Sequence, residues 1–364
     1  MPLPLDVEQP TEAPLRVALE PARNAIASMY LLMDHQELPG VHEWIPQTRS
    51  LFSLEETDRH RLVIMGFFYA ILPEDGWASF PTYLDHLANT DPMAIRQKLL
   101  DAYAKVCFKK SEQNAAPVDW QEVLASADRY ISFLEQGFPP QNVDPDLEAL
   151  AYRYIVDPPA LKKLLVDHLR WVWDRHLGAE WARVRPILQD SVRAFQKIDF
   201  TGLGRMEAAR LVVGRDLPEA KWINHLEKSE RITFIPNAHI GPYTKILTAI
   251  NSLGIVFGAR QPDNSEVRIP DLDRAELVVR LSALADDTRL RILQMVSENQ
   301  EMRSQEIMEA LGLSQPTTSR YLTQLTATGY LQERRSNTAK VYILNQQRLE
   351  LTLKAVAAFL IGKK

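Results

Sequence analysis

Cysteine is almost absent from this chain of 364 residues, Cys107 being the only one. Neither an intramolecular disulfide nor a multi-thiolate metal site can then form within one chain, and a reducing cytoplasm is the expected compartment. Long apolar runs are missing as well. The longest, Leu62 to Leu72, has 11 residues, well short of a membrane span. The opening Met-Pro-Leu-Pro-Leu-Asp-Val-Glu has no basic stretch followed by an apolar core, so a soluble protein without a secretory signal or membrane association is expected. Catalytic signatures are lacking too: the chain has no GxSxG, P-loop, GxGxxG or HExxH, and Gly202-Leu203-Gly204 is only a fragment of a dinucleotide fingerprint. Cys107, between Val106 and Phe108, reads as an apolar filler rather than a nucleophile. The expectation is a protein that is not an enzyme and needs no cofactor.

Histidine is missing from residues 271–364, and all eight histidines precede them. His168 and His176 share an expected helix with Asp167 and Asp174, but eight residues put the two rings more than two turns apart, too far for one ion. No metal is expected. Excess charge is small: 42 Lys and Arg stand against 47 Asp and Glu, a net −5. From Asp271 onward the balance is +2 and before it −7, which permits nucleic-acid binding by the C-terminal part without establishing it.

What is present is mostly helical pattern. Ser53-Leu54-Glu55-Glu56 is a capping box, and apolar spacing predicts helices at about 21–35, 91–110, 119–136, 144–156, 158–177, 179–198 and 217–228. Short strands are predicted at Leu15–Leu19, Arg231–Ile235 and Gly254–Phe257. The predicted fold class is mainly α: a large helical sensor or effector domain over 1–260 with a few short strands, a linker over 261–272, where turn formers and prolines crowd, and a winged helix-turn-helix domain with a β-hairpin wing over 273–364.

The C-terminal pattern is the most specific. Leu277, Val278, Leu281 and Leu284 form one apolar stripe, and Asp286 or Asp287 can cap a second helix whose Leu290, Ile292, Leu293 and Val296 face a core. A third helix runs from Ser304 to Leu311, Gly312 stops it, and Ser314 caps the next, with Pro316 tolerated in its first turn. Helix, glycine-containing turn, helix is the arrangement whose second helix enters a major groove. At 100° per residue Thr318, Leu322 and Leu325 pack inward, leaving Pro316, Thr317, Ser319, Arg320, Thr323 and Gln324 outward. Their short hydroxyls can bond phosphates or base edges, Gln315 and Gln324 suit adenine, and Arg320 can reach guanine or phosphate. Gly329 ends this helix. Tyr330–Arg335 and Ala339–Leu344 flank a polar turn, a hairpin whose tip concentrates Arg334, Arg335 and Lys340. The last helix, about 346–361, carries Leu349, Leu353, Val356 and Leu360 as a stripe able to cover the domain or pair with a second subunit.

"LSALADDTRLRILQMV", then "EIMEALGLSQPTTSRYLTQLTATGYLQERR" and "KVYIL", resemble in order the winged helix of the ArsR family of bacterial transcription regulators, over roughly the final 90 residues. The resemblance implies a homodimer on a pseudo-palindromic double-stranded DNA operator, usually a repressor. It points to Gln315, Thr317, Ser319 and Arg320 as DNA-contacting positions, with the basic wing on phosphates. Metal-sensing members carry Cys-x-Cys ligands on the helix before the recognition helix; here Arg303-Ser304-Gln305-Glu306-Ile307-Met308 has neither cysteine nor histidine, so DNA binding carries over and metal sensing does not.

The other 260 or so residues need a role, and a regulator needs a second site whose occupancy changes DNA binding. Tyr152, Tyr154, Trp171, Trp173, Trp181 and Trp222 are the candidate lining of a pocket for an apolar or planar small-molecule effector, although aromatics at helical spacing are more often simple core. An alternative is a protein-interaction adaptor in which the winged helix and the acidic helical part bind partner proteins.

Overall fold

Pro21–Leu31 forms a helix buried almost all round, from Ala22 to Met29 and again at Leu31, because its residues are nearly all small or apolar; such a helix belongs in the middle of a core. Its one cation, Arg23, donates from Nε to the Pro73 carbonyl at 3.1 Å. The computed structural model describes residues 14–33, 38–74, 76–108, 118–249, 252–263, 270–336 and 339–361. The middle of the expected linker, the wing-tip residues Asn337 and Thr338, and the expected helix ends at 34–35 and 109–110 lie outside the described residues. Two compact units divide the chain, one comprising Glu20–Met33 with Pro46–Trp181, the other Met1–Leu19, Asp34–Ile45 and Ala182–Lys364. No described helix is long and apolar enough to cross a membrane.

Among the described residues of the first unit, the regular elements are all helices. Ser53 caps Leu54–Arg61 with a complete capping box. The stretch expected as one helix over 119–136 is two, Trp120–Val123 and Ala127–Gly137, because Ser126 accepts from the Arg129 amide and starts a new N-terminus. Phe80–Asn89, capped by Ser79, was not foreseen. The helix Pro158–Val172 continues into one wider π turn, Trp173–Leu177. His60 and His168 are buried and hydrogen-bonded to each other, Nδ1 to Nε2, at 2.9 Å. The half-buried Cys107 thiol is pushed up to about 11 by burial, leaving little thiolate near neutrality.

The second unit holds a sheet in the order Leu15–Val17, Arg231–Asn237, Ser252–Gly258, Thr244–Ala249. The first two pairings are parallel and the last antiparallel. The strand Thr244–Ala249, with Thr and Lys among its residues, had no sequence signal strong enough to find it. Phe234, Ile255 and Phe257 meet Phe195, Val212 and Trp222 in one buried cluster; Trp222 is therefore core.

The same unit contains the winged helix. Pro270–Leu284, Asp287–Asn299, Ser304–Leu311 and Gln315–Ala327 are followed by Leu331–Ser336, Ala339–Leu344 and the helix Gln346–Ile361. A further strand, Glu301–Arg303, pairs with Ala339–Leu344 and makes the wing three-stranded. Ile292, Leu293, Val296, Ile307, Leu322, Leu325 and Tyr330 form its core. The chain is mainly α, as the sequence predicts. Two expectations about apolar faces fail: Val278, Leu281 and Leu290 are 61%, 38% and 49% exposed. Of the expected stripe Leu277 is buried and Leu284 packs against the core, and the other buried positions on Pro270–Leu284 are Leu272, Arg280 and Ala283, a face rotated from the one hydrophobicity marks.

Arg289 closes the end of that helix. Its Nε donates to the Ala283 carbonyl and its Nη2 to that of Ser282, both at 2.8 Å, meeting carbonyls that have no partner within the helix. Arg289→Ala is expected to lower unfolding free energy by about 2–3 kcal/mol, since charged hydrogen bonds are lost and buried carbonyls stranded. An unchanged urea midpoint would contradict this.

Candidate nucleic-acid interface

The turn between Ser304–Leu311 and Gln315–Ala327 is built by three residues. Gly312 adopts φ 62° at the C-cap, a left-handed conformation that any side chain would strain. Ser314 accepts at Oγ from the Thr317 amide, and Pro316 sits in the first turn, where its missing N–H has no intrahelical acceptor to lose. The second helix thus starts at a fixed angle to the first.

Its two faces separate cleanly over the first two turns. Thr318, Leu322 and Leu325 are 1%, 2% and 0% exposed, while Gln315, Ser319, Arg320 and Thr323 are exposed and Thr317 is half-buried. Thr318 Oγ1 donates to the Ser314 carbonyl at 3.0 Å, so this buried hydroxyl is satisfied from within the helix. The Arg320 guanidinium lies over the Tyr321 ring at 5.5 Å, a contact that holds it against the protein surface and leaves its donor edges for another partner.

Gln324 requires a correction. It was expected on the outward face and is 1% exposed, with its amide nitrogen beside Gly40 of the segment Asp34–Ile45. The helical wheel alone placed it outward; a chain segment far away in sequence covers that position. Only the first turns of the helix remain available to a partner.

In the wing Arg334 and Arg335 are exposed, and Arg335 pairs in register with Lys340. Lys340 is also exposed, and its Nζ meets Glu333 Oε1 at 2.9 Å, which offsets part of its charge. Among the described residues of the wing, the positive charge without a paired carboxylate is therefore at Arg334 and Arg335.

The aromatic candidates are likewise corrected. Tyr152 donates its hydroxyl to the Leu124 carbonyl at 2.9 Å; Tyr154 packs edge-on to Phe67, Trp171 to Phe52, and Trp173 against Phe80. Trp181 is half-buried. Tyr152, Tyr154, Trp171 and Trp173 pack against rings of other segments, and none of the five lines the cavity of about 630 Å³ found in the other unit. That cavity is rich in arginine, and sequence reasoning missed it, because its residues come from segments as far apart as Val41 and Arg348.

Residues 286–333 match the model of the bacterial regulatory protein, arsR family. The chain is also 41% identical over 64 residues to the arsenic resistance transcriptional regulator ArsR1 of Pseudomonas putida, a match covering 18% of this chain and 50% of the relative. The chain thus spans about half the length of the curated relative it matches. The matched residues coincide with the capped helices, the glycine turn and the first wing strand described above. The C-terminal part of this chain is an ArsR-family winged helix-turn-helix.

Proposed function

We propose that this chain is a sequence-specific DNA-binding transcriptional regulator, acting in the cytoplasm as a repressor, with residues 273–364 as its DNA-binding domain, a linker over 261–272, and the preceding residues receiving a non-metal signal. The observation that carries this reading is the bare polar face of the helix Gln315–Ala327. Gln315, Thr317, Ser319, Arg320 and Thr323 are the base-reading and phosphate-reading set, and Arg334, Arg335 and Lys340 ride the flanking backbone. The likeness to a relative named as a transcriptional regulator supports the same reading. Residues 271–364 hold no cysteine or histidine, so the winged helix itself offers no such metal ligands.

A homodimer on a pseudo-palindromic operator is supported by apolar side chains left in solvent on two helices that pack on each other. Val278 and Leu281 lie on Pro270–Leu284, and Leu353, Leu360 and Ile361 on Gln346–Ile361, with the last two 74% and 77% exposed. A symmetric pairing would bury such a surface and place two recognition helices about 34 Å apart, one turn of duplex.

Gel shifts on the DNA upstream of the protein's own coding sequence test the assignment. Arg320→Ala is expected to weaken binding by about 1–3 kcal/mol, or roughly ten- to a hundredfold, and binding should weaken steeply with added salt. Unchanged affinity after Arg320→Ala combined with Ser319→Ala would remove these residues from the reading face, and salt-independent association with no retained DNA would favour a protein-binding adaptor.

A further inference from the structure

The arginine-rich cavity is a second site. It lies wholly within the unit that contains the winged helix. Its walls are largely apolar, with Val41, Val184, Ile187, Val213 and Val279 among them. Its size, about 630 Å³, falls in the range of small-molecule pockets.

The charges inside do not balance. Among the described residues, Arg215, Arg260, Arg280 and Arg348 line the interior with a single carboxylate, Glu276; the other lining acids, Glu43 and Asp271, are exposed, as are the other lining cations, Arg183 and Arg274. Glu276 Oε1 pairs with Arg280 and also stands 3.6 Å from Arg260 Nε and 3.8 Å from Arg348 Nη2. One carboxylate therefore serves three guanidinium groups. Arg260 has a further partner in Asp263. Among the described residues, Arg215 donates only to the Asp216 carbonyl at 3.5 Å and Thr244 Oγ1 at 3.4 Å, both long for hydrogen bonds to a cation.

Among the described residues, the buried Nε atoms of Arg215, Arg260 and Arg280 have no hydrogen-bond partner, although Arg260 and Arg280 are only 4% and 8% exposed. Burial, and then the nearby charge of Arg348, push Arg215 down to about 10; burial, and then Arg280, do the same to Arg348. Both remain cationic at neutral pH. Buried donors and like charges of this kind are stabilised by an anion that accepts from several of them at once.

We propose that this cavity binds a small organic anion, with its oxyanion group held by Arg215, Arg280 and Arg348 and its apolar body against Val41, Val213 and Val279. The site has a direct connection to the recognition helix. Arg348 Nε donates to the Thr328 carbonyl at 3.1 Å, at the C-cap of Gln315–Ala327, and Ala327 and Thr328 themselves line the cavity. Arg280 belongs to the helix bearing the exposed Val278 and Leu281, and its carbonyl accepts from the Tyr330 hydroxyl at 3.2 Å. An anion that draws Arg280 and Arg348 inward shifts the grip on the end of the recognition helix and on the pairing surface together. This coupling rests on the regulator reading above; the binding of the anion does not.

The test is calorimetric titration of the full chain, in the absence of DNA, with phenyl phosphate and with uncharged benzyl alcohol. Saturable binding of phenyl phosphate, at least tenfold tighter than of benzyl alcohol and tighter than of inorganic phosphate, is expected. Arg215→Gln is expected to weaken phenyl phosphate at least tenfold without lowering the ligand-free melting temperature, because it removes a cation from a crowd of cations. The double variant Arg320→Ala with Arg335→Ala should bind phenyl phosphate as the wild type does, since those residues lie on the other site. Equal affinity for the charged and uncharged probes, no saturable binding at millimolar phenyl phosphate, wild-type affinity in Arg215→Gln, or loss of binding in the surface variant would each overturn the proposal. Should Arg215→Gln fail to fold, the wild-type contrast between the two probes decides. Phenyl phosphate that binds in the absence of DNA but leaves the affinity for upstream DNA unchanged would overturn the coupling and leave the site standing.

Discussion

Leu353→Glu combined with Leu360→Glu is expected to give a folded monomer that no longer holds DNA. Both side chains are largely in solvent, 57% and 74% exposed, so the substitutions leave the interior core untouched and change monomer stability little. In a symmetric dimer each replacement appears twice across the same surface, so four carboxylates would face one another where an apolar contact stood. Loss of the dimer removes the second recognition helix, and with it the roughly 10²- to 10⁴-fold gain that linked binding provides. Light scattering should read the monomer mass, and anisotropy with labelled upstream DNA the loss of affinity. A variant that stays dimeric, or a monomer that binds DNA as tightly as the wild type, would contradict the pairing surface.

The second large effect is expected at Glu276. Burial alone would raise its pKa, but Arg260, Arg280 and Arg348 outweigh burial and hold it down at about 2, against 4.5 for a free glutamate. Because the folded value is depressed, the carboxylate stabilises the fold fully above about pH 4.5, and this stabilisation is lost as pH falls from there toward 2. A shift of that size corresponds to at most about 3 kcal/mol. Glu276→Gln is expected to remove a comparable amount at neutral pH, because it leaves buried guanidinium groups without their shared counterion. It should also flatten the acid limb of a plot of melting temperature against pH. An unaltered acid limb in Glu276→Gln would show that this carboxylate does not hold the cluster together.

The helix-turn-helix was legible because each of its devices is local. Asp286 and Ser314 cap within three residues, Gly312 turns within one, and the alternation of Thr318, Leu322 and Leu325 with Ser319, Arg320 and Thr323 needs only the helical repeat. The short strands at 15, 231 and 254 were legible for the same reason, while Thr244–Ala249 was not, its place being set by pairing with Ser252–Gly258. Gln324 was misplaced because the segment that covers it lies more than 250 residues earlier in the chain.

The helix Pro270–Leu284 departs from the usual rule on one side only. Leu272, Leu277 and Ala283 are buried as apolar side chains should be, but Val278 and Leu281 are exposed while Arg280 is buried, since Glu276 and Arg280 line a cavity that gathers arginines. No periodicity argument distinguishes an i, i+4 Glu–Arg pair on a surface from the same pair lining a pocket. Of the aromatic candidates Trp222 is core, while Tyr152, Tyr154, Trp171, Trp173 and Trp181 are half-buried and lie outside the arginine-lined cavity; helical spacing does not distinguish a ring that packs from one that lines an opening.

A footprint of the full chain on its own upstream DNA addresses the central claim most directly. Two protected major-groove segments are predicted, centred about 10–10.5 base pairs or a multiple apart, with both lost together when Ser319 and Arg320 are replaced by alanine. Protection that is absent at every protein concentration, or that persists unchanged in the double variant, would contradict the assignment of the helix opened by Ser314 as the element that reads DNA.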